Sequence, residues 1–222
     1  ARPSLPILSV GAPGPSAVIT LVDPTSGEER PEGAVGELWI HGPNVAAGYL
    51  DRDDETAETF RNSLPADKRL AEGSRAGDAP EDNWLRTGDL ATIVDGQLYI
   101  TGRIKDLVVI AGRNHYPQDI EGTAQDATDQ IATGVLAAFS VAPEAGSGND
   151  VEELVIVAER DPEADASGDA DAVVAVTTAV PAAHGVQPSE VLIVAPNRIP
   201  RSSANKIARR VAAKAWSEGA FS

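Results

Sequence analysis

Short apolar runs separated by turn-rich segments dominate the first half of the chain, a pattern typical of strands joined by hairpins. Asp95 and Gly96 form a dipeptide that is favoured in type I′ turns, so a hairpin is predicted there. The predicted strands are residues 17–22, 35–41, 84–90 and 97–101. Residues 51–60 predict a short helix, and the polar stretch 61–83, rich in Gly, Pro and Asp, predicts a surface loop.

Strands and helices alternate in the second half. A strand over residues 107–110 turns at Gly112, and a helix then starts at Tyr116 and Pro117. The apolar face of this helix is spaced as Ile120, Ala124, Ala127 and Ile131. Further strands are predicted at residues 134–141, 153–158 and 191–194, helices at 170–184 and 206–217, and loops at 144–150 and 161–169.

Hairpins followed by alternating strands and helices predict an α+β chain of two units that meet near residue 105. We expect residues 1–104 to form a small β-barrel-like subdomain. After a hinge, residues 105–222 are expected to form a compact α/β domain in which helices flank a sheet.

The composition narrows the classes of function. The 222 residues include neither Cys nor Met, which excludes a disulfide framework, a thiolate metal site and a cysteine nucleophile. Because the initiator Met is absent, we expect a processed product or a piece of a longer protein. No apolar run approaches the roughly 18 residues of a membrane span, and no signal region is present, so a cytoplasmic protein is expected.

Charge is distributed unevenly. The net charge of −16 argues against nucleic acid as a general partner. Residues 197–222 nevertheless carry six basic residues and one acidic residue. This basic end is consistent with an anionic ligand or partner, and a solvated basic helix is the simpler explanation of this feature alone.

Two polar motifs near the middle of the chain could bind a sugar. Asp89 follows a Thr-Gly pair at the end of a strand, where a carboxylate can accept hydrogen bonds from vicinal hydroxyls. Arg103 follows Gly102 and could brace a sugar or a phosphate. The alternatives are an ordinary turn for the first motif and a surface ion pair for the second.

Two further stretches carry candidate residues. In residues 199–209, IPRSSANKIAR, a proline and small polar residues precede Lys206, as in a loop that delivers a long cationic side chain. The alternative is a helix that starts at Lys206 with Ser203 or Asn205 as its cap. The other stretch is residues 36–40, GELWI, together with Gly48 and Tyr49, and strand packing is its simpler explanation.

Taken in order, the stretches GELWIHGPNVAAGYL, WLRTGDL, GRIKDLVVIAGRNHYPQDIE and PRSSANK resemble successive signature motifs of the adenylate-forming ligases. That superfamily holds acyl-CoA synthetases, peptide-synthetase adenylation domains and luciferases. The resemblance covers nearly the whole chain. The stretch AGRNHYPQDIE is most similar to the long-chain fatty acyl-AMP ligases, which supply acyl adenylates to polyketide synthases.

The resemblance implies that a fatty acid carboxylate attacks the α-phosphorus of ATP and that the acyl group then passes to a carrier-protein thiol. It gives Lys206 the role of catalytic cation, and Asp89 and Arg103 the role of holding the ribose. Lys105 falls at the family's hinge position. Mg²⁺ would neutralise the leaving pyrophosphate, but no metal ligand is identifiable in the chain.

The sequence also departs from the family pattern. It lacks the phosphate loop that lies well upstream of GELW in the family, so we expect it to be the C-terminal part of an enzyme and inactive alone. It reads Asn205-Lys206 where the family usually has Gly-Lys. The alternative functions are a fragment of a fatty acyl-CoA synthetase, or a non-catalytic module whose basic helix docks an acidic carrier protein.

Overall fold

The structure is a computed structural model and describes residues 7–143, 151–203 and 205–221. The chain divides into two compact units, and the division falls between Lys105 and Asp106. Both units combine helices with sheets, which confirms the predicted α+β class. The predicted loop at residues 144–150 lies outside the described residues.

The first unit contains a four-stranded antiparallel sheet in which sequential strands are neighbours. Its strands are β1 (Val18–Val22), β2 (Val35–His41), β3 (Leu85–Val94) and β4 (Gln97–Arg103). Among the described residues β1 and β4 do not pair with each other, so the sheet is open. The barrel-like part of the prediction is corrected, because four strands are too few to close around a core of side chains.

Both faces of this sheet are buried. One face is covered by a cluster that includes Leu21, Leu38 and Ile93. On the other face, Trp39 packs with residues of the segment predicted as a surface loop, among them Leu64, which is fully buried. The segment 61–83 is therefore part of the core and not only a surface connection.

A single buried carboxylate organises this segment. Glu29 is 4% exposed and accepts hydrogen bonds from the hydroxyls of Thr20 and Ser74, both 2.6 Å long. It also accepts from the backbone N–H groups of Leu70, Arg75 and Ala76. Burial alone would raise the pKa of Glu29, but these hydrogen bonds outweigh burial and hold the pKa below its ordinary value.

Two local predictions for this unit are confirmed. Helix α1 spans Asp53–Phe60, within the predicted helix. Asp95 and Gly96 both adopt positive φ, at 50° and 74°, as a type I′ turn requires. The turn connects β3 and β4 as the hairpin prediction stated.

The second unit is built on a three-stranded sheet covered on both faces. Its elements are β7 (Ile131–Val141), β8 (Glu153–Arg160), β9 (Pro188–Val194), α2 (Pro117–Asp126), α3 (Asp169–His184) and α4 (Arg209–Ser217). Strand β8 pairs antiparallel with β7 and parallel with β9, and α3 makes the crossover to β9. Six consecutive residues of β8 are buried, because α2 and α3 cover one face and α4 the other.

The end of α2 and the start of α4 differ from the sequence prediction. Helix α2 ends at Asp126, and Ile131 begins β7 instead of continuing the apolar helical face, because its buried position is in the sheet. Helix α4 begins at Arg209 and not at Lys206. The intervening residues form a loop closed by a bridge between Arg201 and Ile207.

A small hairpin precedes α2. It pairs β5 (Val108–Ile110) with β6 (Arg113–His115), and its turn has positive φ at Ala111 and Gly112. The sequence Arg-Asn-His carries no strand signal, so β6 was not predicted. No helix within the described residues is both long and apolar enough to cross a membrane.

Candidate functional site

A bulge in β3 sets Asp89 apart from the regular ladder between β2 and β3. Glu37 pairs with Leu90 and Trp39 pairs with Arg86, so three residues of β3 lie opposite one residue of β2. The register on the β4 side shifts as well, directly after Leu90. Bulges are frequent beside functional sites because they re-aim a side chain that a regular strand would hold in another direction.

Asp89 and Arg103 meet across the β3–β4 ladder. They are direct register partners, and Arg103 Nε donates to Asp89 Oδ1 over 2.8 Å. The Arg103 side chain is 69% exposed and that of Asp89 27% exposed. Within the described residues the second oxygen of Asp89 accepts no hydrogen bond, so the pair presents both a carboxylate oxygen and a guanidinium to solvent. This arrangement suits vicinal hydroxyls, and a surface ion pair remains the simpler alternative.

The bulged segment is held at several points. Thr87 Oγ1 donates to the carbonyl of Leu38 over 2.8 Å and accepts from the backbone N–H of Asp89 over 3.1 Å. Glu37 Oε1 accepts from the backbone N–H of Gly88 over 3.2 Å. Gly88 has φ of 72°, a conformation that glycine adopts without strain.

Glu37 was not identified from the sequence. It is 1% exposed, and its second oxygen, Oε2, accepts from Trp39 Nε1 and Arg86 Nε, both over 3.0 Å. The Arg86 guanidinium also lies over the Trp39 ring, 5.7 Å from its centroid. The available signal was a carboxylate inside an otherwise apolar strand, which strand packing by itself does not require.

Lys206 lies in the second unit, on the loop before α4. The residue is exposed, and its Nζ makes no hydrogen bond or ion pair with the described part of the chain. Its backbone is fixed: Lys206 N–H donates to Ser202 Oγ over 3.2 Å, and the Lys206 carbonyl accepts from Ser202 N–H over 2.8 Å. The loop therefore holds the base of a long cationic side chain whose end is free to reach a ligand.

Asn205 takes a left-handed conformation beside this lysine, with φ of 59°. The position thus demands a positive φ, and Asn is among the few non-glycine residues that adopt it at low cost. The helix-cap alternative for this stretch is wrong. Helix α4 begins three residues after Lys206, its N-cap is Ala208, and no side chain caps it.

Arg209, at the start of α4, connects three elements of the second unit. Its guanidinium donates to both oxygens of Glu121 on α2 over 2.6 Å and lies 3.6 Å from a carboxylate oxygen of Asp106. Glu121 Oε1 also accepts from the backbone N–H of Ala138 on β7. The hydrogen bonds to Glu121 raise the pKa of Arg209 above its ordinary value, although burial opposes the shift.

Lys105 is exposed and lies in a single turn of 3₁₀ helix, Ile104–Asp106. The division between the two units falls directly after it. A turn of this length has few interactions that resist a change of φ and ψ.

The polar residues after β5 line a surface depression of about 480 Å³ in the second unit. Arg113, His115, Asp119 and His184 contribute to its wall. Burial lowers the pKa of His115, and the neighbouring His184 and Arg113 lower it further. Helix α3 supplies His184, which the sequence analysis did not place beside these residues.

Comparison with known proteins relates this chain to AMP-binding enzymes. The family described as "AMP-binding enzyme" matches residues 2–50. The family described as "Disco-interacting protein 2-like, AMP domain" matches residues 105–222, more than half of the chain.

Curated relatives include the long-chain-fatty-acid–AMP ligase FadD32 of Mycobacterium marinum, which is 42% identical over 96% of this chain. The putative fatty-acid–CoA ligase fadD21 of Mycobacterium leprae is 37% identical over 100% of this chain. In both cases the match spans 36% of the relative's own length.

Solved structures give the same relation. McyG A-PCP complexed with phenylalanyl-adenylate matches 97% of this chain and 34% of its own, with a TM-score of 0.73 and 26% identity. A fatty acyl-adenylate ligase from a study of the Escherichia coli and Legionella pneumophila enzymes matches 96% of this chain and 33% of its own, with a TM-score of 0.71 and 28% identity. The chain belongs to the adenylate-forming, AMP-binding enzymes, in the family of Disco-interacting protein 2-like AMP domains.

Proposed function

We propose that this chain is the C-terminal portion of a fatty acyl-AMP ligase. The intact enzyme activates a long-chain fatty acid with ATP and passes the acyl group to a carrier protein in lipid biosynthesis. The observation that carries the proposal is the 42% identity to a long-chain-fatty-acid–AMP ligase over 96% of the chain. In this assignment residues 1–104 form the C-terminal subdomain of the large adenylation domain. Residues 105–222 form the mobile small domain of the enzyme.

In the first half-reaction the fatty acid carboxylate attacks the α-phosphorus of ATP. The bond to the bridging oxygen breaks, and pyrophosphate leaves with the acyl adenylate formed. Lys206 supplies positive charge to the carboxylate and the α-phosphate as charge builds in the transition state. Its exposed position and its fixed backbone support this role.

Asp89 and Arg103 hold the ribose of the nucleotide. The ladder fixes their spacing, and the Asp89 oxygen that Arg103 does not contact accepts a ribose hydroxyl. The ion pair fixes the carboxylate before the nucleotide arrives, which lowers the entropy that binding must remove.

In the second half-reaction a thiol takes the acyl group and AMP leaves. Lys105 is the hinge at which the small domain turns between the two steps, so its role is conformational. The short turn that contains it, Ile104–Asp106, supports this role.

ATP is the proposed nucleotide, and Mg²⁺ is expected to accompany it. The described residues include no group of three or more His, Asp or Glu side chains that could hold a metal ion. We therefore assign Mg²⁺ no ligand among the described residues.

A second candidate function differs from the first in the thiol that accepts the acyl group. The 37% identity to a putative fatty-acid–CoA ligase favours CoA as the alternative thiol. The intact enzyme that contains this chain should be given preformed acyl-AMP with either CoA or a holo carrier protein. Acylation of the carrier protein and not of CoA supports the proposal, and the opposite result supports an acyl-CoA synthetase.

A carrier-docking module without catalysis is the remaining alternative. Its basic surface is smaller than the sequence suggested, because the Arg209 guanidinium is bound to Glu121. Reversing the charges of Arg210 and Lys214, which are both exposed, therefore tests docking without disturbing that pair. Loss of carrier binding with adenylation retained would show that this surface docks the carrier.

A further inference from the structure

We propose that Glu37 is a positioning residue for the nucleotide: it holds the β3 bulge in the conformation that presents Asp89 to the ribose. This inference rests on the proposed function, because it assumes that Asp89 binds the ribose. Glu37 itself is buried, so it acts on the nucleotide only through the bulge and Asp89.

The burial of Glu37 needs a reason that strand packing does not give. It lies in β2 within a run of four buried residues and is 1% exposed. A carboxylate in such a position is unfavourable unless its oxygens are hydrogen-bonded, whereas an apolar side chain would pack there without that requirement. Both oxygens of Glu37 are in fact bonded, and two of its three partner residues belong to β3.

The bulge explains why a side chain is needed at this point. Where three residues of β3 face one residue of β2, the regular exchange of backbone hydrogen bonds is interrupted. Glu37 Oε1 supplies the acceptor for the N–H of Gly88, the residue directly before Asp89. Glu37 Oε2 anchors Arg86, which lies at the other end of the bulged segment.

Glutamine at position 37 tests this geometry with nearly the same volume. Its carbonyl oxygen can replace only one carboxylate oxygen. If that oxygen faces Trp39 and Arg86, the amide NH₂ group faces the N–H of Gly88, and that bond is lost. If the amide is turned, NH₂ faces Arg86 instead. Either orientation leaves one end of the bulge without its acceptor.

The readout is discrimination between ATP and 2′-deoxy-ATP or 3′-deoxy-ATP in acyl-AMP formation by the intact enzyme. For Glu37→Gln we expect kcat/KM for ATP to fall about tenfold while kcat/KM for the deoxynucleotides changes little. The preference for ATP should thus shrink, and the KM for the fatty acid should stay unchanged. A merely structural role would lower all of these rates together or lower only the melting temperature.

Glu29→Gln is the matched control, because Glu29 is another buried carboxylate of the same unit that ties down backbone N–H groups. Its contacts lie on Thr20 of β1 and on the 61–83 segment, and not on the bulge. We expect it to reduce thermal stability and to leave the preference for ATP over deoxy-ATP intact.

Asp89→Ala separates failure of this inference from failure of the proposed function. If Asp89→Ala abolishes the preference for ATP and Glu37→Gln preserves it, the positioning role is wrong and the ribose assignment stands. If Asp89→Ala leaves the preference intact, the ribose assignment fails and the inference fails with it. If Glu37→Gln does not fold, the double variant Glu37→Leu with Arg86→Leu removes both partners of the ion pair and still leaves Gly88 without its acceptor. The same loss of preference is expected there, and an unchanged preference overturns the proposal.

Discussion

Arg209 and Glu121 are 88 positions apart in the sequence and form a two-point ion pair in which both nitrogen–oxygen distances are 2.6 Å. The pair ties the start of α4, directly after the Lys206 loop, to α2. Arg209 also approaches Asp106, the first residue after the proposed hinge. The Arg209 guanidinium therefore supports both the loop that carries Lys206 and the residue that follows the proposed hinge.

Arg209→Ala is expected to destabilise the second unit by about 3 kcal/mol, because Glu121 is left largely buried without its cationic partner. Native-state hydrogen exchange of the β8 amides measures this loss, and the β2 amides serve as a reference for the first unit. Arg210→Ala is the control, since Arg210 is a neighbouring exposed arginine on the same helix and should change stability by less than about 0.5 kcal/mol. Equal effects of the two variants would contradict the role given to the pair.

Glu29→Gln is expected to destabilise the first unit by about 2 kcal/mol at neutral pH, because the amide cannot accept all the hydrogen bonds that the carboxylate accepts. The folded state lowers the pKa of Glu29 from 4.5. The carboxylate's contribution is therefore fully present above that pH and is lost as the pH falls through the lowered value in the folded state. Denaturant unfolding of the two proteins at several pH values should show their difference shrinking in acid. A stability difference that grows as the pH falls would contradict this pH dependence.

Lys206→Ala in the intact enzyme is expected to slow adenylate formation by about two to three orders of magnitude, because the transition-state charge loses its cation. Transfer of the acyl group from preformed acyl-AMP should survive. Lys214→Ala is the control, since Lys214 is exposed and its side chain pairs with Glu218 at the surface. Adenylation at the normal rate in Lys206→Ala would show that the lysine has been misassigned.

Asn205→Val is expected to weaken adenylation, because a β-branched residue is strained by about 1–2 kcal/mol at φ of 59°. Asn205→Gly should retain the rate or increase it, since glycine adopts this conformation freely. Steady-state rates of acyl-AMP formation compare the two variants, and melting temperatures show whether the effect is confined to the loop. Equal rates for valine and glycine would mean that the left-handed conformation is not required for activity.

The 222-residue chain by itself is expected to bind ATP weakly, because its sequence contains no glycine- and Ser/Thr-rich phosphate loop. Titration calorimetry with ATP measures this directly. Tight binding of ATP would contradict the proposal that this chain supplies only part of the nucleotide-binding site.

The sequence by itself determined the features that depend on local chemistry. The Asp95-Gly96 turn, helix α1 and the apolar strand β8 follow from turn residues, helix signals and apolar runs, which act over a few neighbouring positions. The order of four motifs was enough to indicate the family. The candidate residues Asp89, Arg103, Lys105 and Lys206 also came from these motifs, and their catalytic, binding and hinge roles stay predictions.

Only the tertiary structure decided which distant residues support one another. The bulge that sets Asp89 apart, the burial of Glu37 beneath it, and the pairing of Arg209 with Glu121 all depend on strand register and helix packing. Strand pairing also decided that the sheet of the first unit is open. The end of α2 at Asp126 was decided by packing as well, since the spacing of Ile131 fits a helical face and a strand equally well. A periodic pattern specifies which side chains are buried, but the partner that buries them is chosen by contacts between residues far apart in the chain.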